Sequence, residues 1–161
     1  MSRFGLAGLL CGCLLLVLGS LRGQEDGGDK KIYRNVASEK LEAIFAEMKI
    51  EFQQSKGKGD GVQLYDFERN KFKIRLHNYQ GKDLWIDAHF TDPLTLADVN
   101  QWNTRAKFSR AVLLKSETTT VSLEAQLDCL GGTTDAHLKQ FILRFDGEIA
   151  QFVAFISKTK K

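Results

Sequence analysis

The sequence predicts an α+β domain: an antiparallel sheet of about five strands with an N-terminal helix, a short middle helix and a long C-terminal helix. Three observations predict it. Residues 71–90 alternate apolar and polar side chains with a period of two, as strands with one buried and one wet face do. Residues 138–156 place apolar side chains every three or four positions, which makes one continuous helical face. No strand–helix–strand alternation runs along the chain, so helices packed on one face of an antiparallel sheet are the consistent layering.

The 161 residues leave room for one domain, and the first part is not expected to belong to it. Met1-Ser2-Arg3 is positively charged, Phe4 to Leu18 is almost wholly apolar, and small residues Gly19, Ser20 and Gly23 precede the polar Gln24-Glu25-Asp26. This is the layout of a secretory signal peptide over residues 1–23, with export to the periplasm or the medium as its consequence. The apolar run is about 15 residues, short of the ~20 that span a bilayer. An uncleaved signal anchor and a lipoprotein are the alternatives. Leu10-Cys11-Gly12-Cys13 resembles a lipidation pattern at Cys13, although five apolar residues follow where such signals turn polar. Without residues 1–23, Arg3 and Arg22 are lost. Lys and Arg then fall from 23 to 21 against 20 acids, and the net charge becomes +1. That balance argues against nucleic acid, whose binding depends on clustered cations. Cys129 is then the one cysteine left, so no disulfide framework is expected.

Residues 24–36 read as a flexible, charged lead-in. Ser38 to Ile50 reads as a helix with Ser38 as N-cap, because Leu41, Ile44, Phe45 and Met48 share a face. Glu51 to Gln54 reads as a short strand, and the glycine-dotted Ser55–Gly61 as a hairpin connection. It lacks the spacing of a phosphate-binding loop. Strands follow over Val62–Arg69, Lys71–Tyr79 and Leu84–Phe90. In the last of these Leu84, Ile86, Ala88 and Phe90 point one way, and Trp85, Asp87 and His89 the other. Pro93-Leu94 stops the sheet, and Thr95-Leu-Ala-Asp98 fits a capping box for a helix reaching about Asn103. Strands over Ser109–Lys115 and Thr120–Leu130 follow, with Cys129 on the buried face. Gly131-Gly132 turns the chain, Thr133 or Thr134 caps the long helix, and a basic tail ends at Lys161.

Little in the chain points to catalysis. There is no Gly-x-Ser-x-Gly, and no carboxylate pair stands isolated among apolar residues. His77, Asp87 and His89 could be imagined as a metal site. However, residues 87 and 89 sit about 6.5–7 Å apart along one strand and no metal-binding pattern surrounds them, so they read as solvated polar positions. No metal and no cofactor are expected. The wet face of the sheet is the better candidate: Lys71, Lys73, Arg75, Tyr79 and Trp85 form a basic, aromatic-bearing surface on which a protein or peptide could dock. We take Lys73, Arg75, Tyr79 and Trp85 as its binding residues.

From Ser38 to Ile156 the chain resembles the YbjN family of bacterial proteins. The resemblance is carried by Asn100-Gln-Trp102-Asn103, then Arg105 and Phe108-Ser-Arg110. It continues in Val121-x-Leu123-Glu124-x-x-Leu127-Asp128-x-x-Gly131-Gly132, with Leu138, Phe141 and Phe152 behind. It implies a fold similar to type III secretion chaperones over residues 37–158, a role described as sensory transduction regulation, and no catalytic residues. Chaperones of that shape tend to be dimers that bind extended protein segments, so a homodimer and a protein or peptide partner are implied. Members are typically cytoplasmic, and the apparent export signal departs from that. Asn100, Trp102, Asn103 and Arg110 are read as structural: Trp102 plugs the sheet edge, and the asparagines satisfy backbone groups where the chain turns into the next strand. The alternative function is a periplasmic small-molecule or lipid carrier, its pocket lined by Phe45, Phe90, Phe141, Phe145 and Phe152.

Overall fold

The computed structural model describes residues 31–114 and 120–159. The expected signal peptide, residues 24–30 of the lead-in and Lys160-Lys161 of the basic tail lie outside them. The elements are α1 (Ser38–Glu47), β1 (Phe52–Lys56), β2 (Val62–Arg69), β3 (Phe72–Tyr79), β4 (Asp83–Phe90), α2 (Leu96–Arg105), β5 (Arg110–Leu114), β6 (Thr120–Asp128) and α3 (Asp135–Thr159). Six strands form one antiparallel sheet in the order β1-β2-β3-β4-β6-β5. The fold is thus the expected α+β layering, with one strand more than the round figure of five.

Alternation sets which side chains face the helices. Tyr65 and Phe67 of β2, Ile74 and Leu76 of β3, Leu84, Ile86 and Ala88 of β4 and Val121, Leu123 and Ala125 of β6 are all buried. The helices supply the other half of the core. Phe45 of α1 meets Phe52, Tyr65 and Phe67 at ring separations of 5.1–5.5 Å. On α3, Phe152 meets Phe90 at 5.0 Å and Phe141 meets Phe108 at 5.7 Å. The α3 stripe extends further than its sequence suggests, because Phe155 is buried as well while Val153 is only partly covered. Ion pairs Lys40–Asp135 and Lys139–Glu47 tie α1 to α3.

The helix ends differ from expectation in instructive ways. Ser38 is not the N-cap of α1. Ala37 holds that position without a side-chain bond, and Ser38 interacts with the Tyr65 hydroxyl instead. The helix also stops at Glu47 rather than Ile50. Lys49 takes a left-handed φ of 55°, and the Lys49 and Ile50 N–H groups donate to the Ala46 and Phe45 carbonyls. This closing turn normally carries glycine, which is why its sequence signal is faint. The Thr95–Asp98 capping box forms as read, with both reciprocal bonds present. At the start of α3 it is Thr134 whose hydroxyl accepts the His137 N–H.

The last part of the expected lead-in is bonded to the domain. Tyr33 and Thr133 exchange two backbone hydrogen bonds of 2.7 and 2.8 Å, and the Val36 N–H donates to the Gly81 carbonyl. Asn78, buried behind them, donates to the Val36 carbonyl. Gly81 has φ +74°, and a Cβ there would sit 2.5 Å from Asn35 Oδ1, so the position accepts only glycine without rearrangement. The expected lead-in is therefore part of the packed domain at Tyr33–Val36.

Candidate functional site

All three helices contribute to one core on one side of the sheet, and among the described residues no helix packs on the other side. The four expected binding residues all lie on that open face, as their parity requires. The strand register sorts the face into rows. Asp66, Arg75, Asp87, Glu124 and Arg110 stand directly across from one another from β2 to β5. The adjacent row is Leu64, His77, Trp85 and Gln126.

The charged row is internally paired. Arg75 Nε and Nη2 donate to the two Asp66 oxygens at 2.6 and 2.9 Å, a forked geometry that fixes the guanidinium plane. The bond to Asp66, aided by Asp87, holds the Arg75 pKa above its ordinary value against the opposing effect of burial. Arg110 Nε donates to Glu124 at 3.2 Å. Lys73 lies across from Glu68. The surface is therefore less basic than its lysines and arginines suggest: each of these cations sits beside a carboxylate.

The centre of the face is a group that sequence reasoning underrated. Asp87 is only 8% exposed. His77 Nε2 lies 2.7 Å from its Oδ2, and His89 Nε2 lies 3.3 Å from its Oδ1. Asp87 and His77 are thus not the solvated, independent positions expected, whereas His89 remains exposed, its side chain 57% accessible, although the strand spacing does not keep its ring from Asp87. Register explains the rest: Asp87 faces Arg75, and His77 is the next residue but one on the same strand. His77 also lies parallel to Tyr79, at 6.0 Å and 7°, and against Trp85 at 5.5 Å and 26°. Burial, reinforced by Asp87, raises the Tyr79 pKa. The result is a lane of three rings, Tyr79–His77–Trp85, whose middle member is anchored by a buried carboxylate. Among the described residues no cluster of His, Cys, Asp and Glu is arranged to hold a metal ion.

The Asn-Gln-Trp-Asn segment lies elsewhere, at the β5 edge. Asn103 does what an additional strand would do: its amide nitrogen donates to the Ala111 carbonyl at 3.0 Å and its oxygen accepts the Ala111 N–H at 2.7 Å. Asn100 contributes only its backbone carbonyl, which accepts from the Thr104 hydroxyl. Trp102 is buried between α2 and α3, 4.9 Å from Phe152 and 5.7 Å from Phe155. It thus fills the core under α3 rather than plugging an edge, and its Nε1 has no partner among the described residues. The phenylalanines expected to line a carrier pocket are each at most 6% exposed, and Phe90 and Phe152 touch one another.

The model of the YbjN family, described as "Putative bacterial sensory transduction regulator", matches residues 38–158. The chain belongs to the YbjN family. Among solved structures, YbjN from E. coli, titled "a putative transcription regulator", shares the fold at 10% identity and a TM-score of 0.59, covering 77% of this chain and 91% of that one. The Yersinia pestis type III secretion chaperone SycH, solved in complex with a stable fragment of YscM2, gives 16% identity and a TM-score of 0.47, covering 69% and 94%. No curated protein matches the sequence. In this YbjN-family chain the Asn-Gln-Trp-Asn segment supports the sheet edge and core, and the open face is a separate feature.

Proposed function

We propose that this YbjN domain is an exported, non-catalytic regulator that binds a protein partner on the open face of its sheet. One observation carries the reading: the face away from the helices presents the Tyr79–His77–Trp85 lane, held in place by Asp87 and bordered by Arg75 and Lys73. Rigid aromatic side chains supply contact area with little entropy to lose, and ordered charges beside them supply register. The family description as a sensory transduction regulator supports a signalling rather than a metabolic role. Export rests on residues 1–23, and mass spectrometry of the protein from its own host should find a chain lacking about that segment. A full-length mass in the cytoplasmic fraction would refute export. A carrier is the poorer reading, because the rings that would line its pocket fill the core.

The binding test pairs Arg75→Ala with Trp85→Ala. Both side chains lie on the open face, so the double variant should stay folded, losing about 1–3 kcal/mol of stability with the Asp66 pair and the His77 stack, and lose the partner captured by the native chain in crosslinked envelope extracts. Retained capture by a folded double variant would sink the proposal.

A further inference from the structure

The sheet has a short unfilled position at the far end of β6, and we propose that it is a strand-addition site for an extended peptide segment of the partner protein. β6 outlasts its neighbour. Arg110, the first residue of β5, lies across from Glu124, so Ala125 to Asp128 have β4 on one side and, among the described residues, no strand on the other. Before Arg110 the chain swings toward α3, where the Ser109 hydroxyl bonds Glu148 and Phe108 meets Phe141 and Arg144.

The direction of the backbone groups follows from the ladder. In an antiparallel pair, a residue whose N–H and C=O face one neighbour alternates with one that faces the other way. The Cys129 N–H donates to the Lys82 carbonyl at 2.8 Å, so Cys129, Leu127 and Ala125 face β4. Gln126 and Asp128 then point outward, as Glu124 does toward Arg110. The same rule sends Ala111 outward from β5, and Asn103 is found bonding it there. The β5 edge is closed by Asn103, while no described residue closes the Gln126–Asp128 edge.

The open edge is also a cavity. A notch of about 380 Å³ lies against it, walled by Trp85 and Phe108 and flanked by Lys107 and Arg110. Leu130, just beyond, is 55% exposed. The four residues Ala125–Asp128 span about 13 Å, enough for a strand of about four residues. Such a segment would bond Gln126 and Asp128 and lay its open-face side chains beside Trp85. The outer edge of β1 is the competing place. There Gln53 to Lys56 are all exposed, and the wide groove of about 1270 Å³ that borders Gln53 is lined mostly by charged and polar side chains.

The proposal deepens the protein-binding reading, but its first test needs no partner. In hydrogen exchange of the purified protein, the Gln126 and Asp128 amides should exchange at least about tenfold faster than those of Ala125 and Leu127. The second test titrates acetyl-Val-Thr-Val-Thr-Val-amide as probe. It should shift and protect the Gln126 and Asp128 amides, and its fully N-methylated twin should bind at least about tenfold more weakly. Equal protection of all four amides in the free chain overturns the proposal. So does equal binding of the twin, a response confined to Gln53–Lys56, or no response at millimolar peptide. Any of these leaves the open-face reading intact, since that is judged by the Arg75 and Trp85 variants.

Discussion

Removing the Asn103 side chain would strip the Ala111 N–H and carbonyl of their partner and loosen α2 from β5. Asn103→Ala should therefore destabilise the fold by about 1–2 kcal/mol in urea titrations, with no effect on partner capture. Loss of capture at full stability would move this residue into the binding machinery. Cys129 gives a second residue-level prediction. Burial, helped by Asp83 and Asp128, pushes its pKa from 9.0 up to about 11. Below pH 9 the thiol is protonated in folded and unfolded chains alike. Between 9 and 11 the unfolded chain releases the proton and the folded chain does not, so this group's contribution to stability falls as pH rises through that window. Cys129→Ala should flatten that part of the stability profile. The native thiol should also resist aromatic disulfide reagents at pH 8 and react once the chain is unfolded. The residue-level signals differ in how far they can be read. Cys129 is legible as buried because it continues the even spacing of β6. The bonding of Asp87 to His77 and His89 is not, because it depends on which residue of β3 faces which residue of β4. The turn at Gln80–Lys82 decides that register, and no local periodicity reports it.

Among the elements, α1 ends with a lysine where the backbone favours glycine. Lys49→Gly should raise stability by about 0.5–1 kcal/mol, since the left-handed conformation is strained for lysine and the closing bonds are backbone only. A drop would mean that the Lys49 side chain contributes more than its φ angle takes away. In α3, Phe152 touches Phe90, Trp102 and Phe155 and is fully buried. Phe152→Ala should cost about 3–5 kcal/mol, measured by thermal or urea unfolding. The strands β3, β4 and β6 and the long α3 are legible because each largely keeps a single period, whereas β2 changes parity between Leu64 and Tyr65 and is legible mainly from the turns that flank it. The strand β1 is nearly silent: Gln53, Gln54, Ser55 and Lys56 are exposed and polar, and only pairing with β2 makes them a strand. The ends of α1 are silent for a related reason, since Ala37 and Lys49 are neither usual caps nor usual stops.

At the scale of the molecule, helices cover one face of the sheet, Asn103 closes the β5 edge, and one face stays open with its own organised side chains. The sequence identifies that face through parity alone, and Lys73, Arg75, Tyr79 and Trp85 are all found on it. It overstates the charge, because Asp66, Asp87 and Glu124 come from neighbouring strands to offset the cations, and their meeting is a product of topology. A basic surface would bind acidic partners in a salt-dependent way. The observed paired surface should instead bind with weak salt dependence, dominated by the rings. If the partner docks on this face, a photocrosslinking amino acid at Leu64, beside His77 on the open face, should capture it when intact cells are irradiated, and one at Leu143, an exposed residue of α3, should not. One discrete protein adduct is expected from position 64 and none from position 143. Adducts from position 143 alone, or the same pattern from both, would contradict docking on this face.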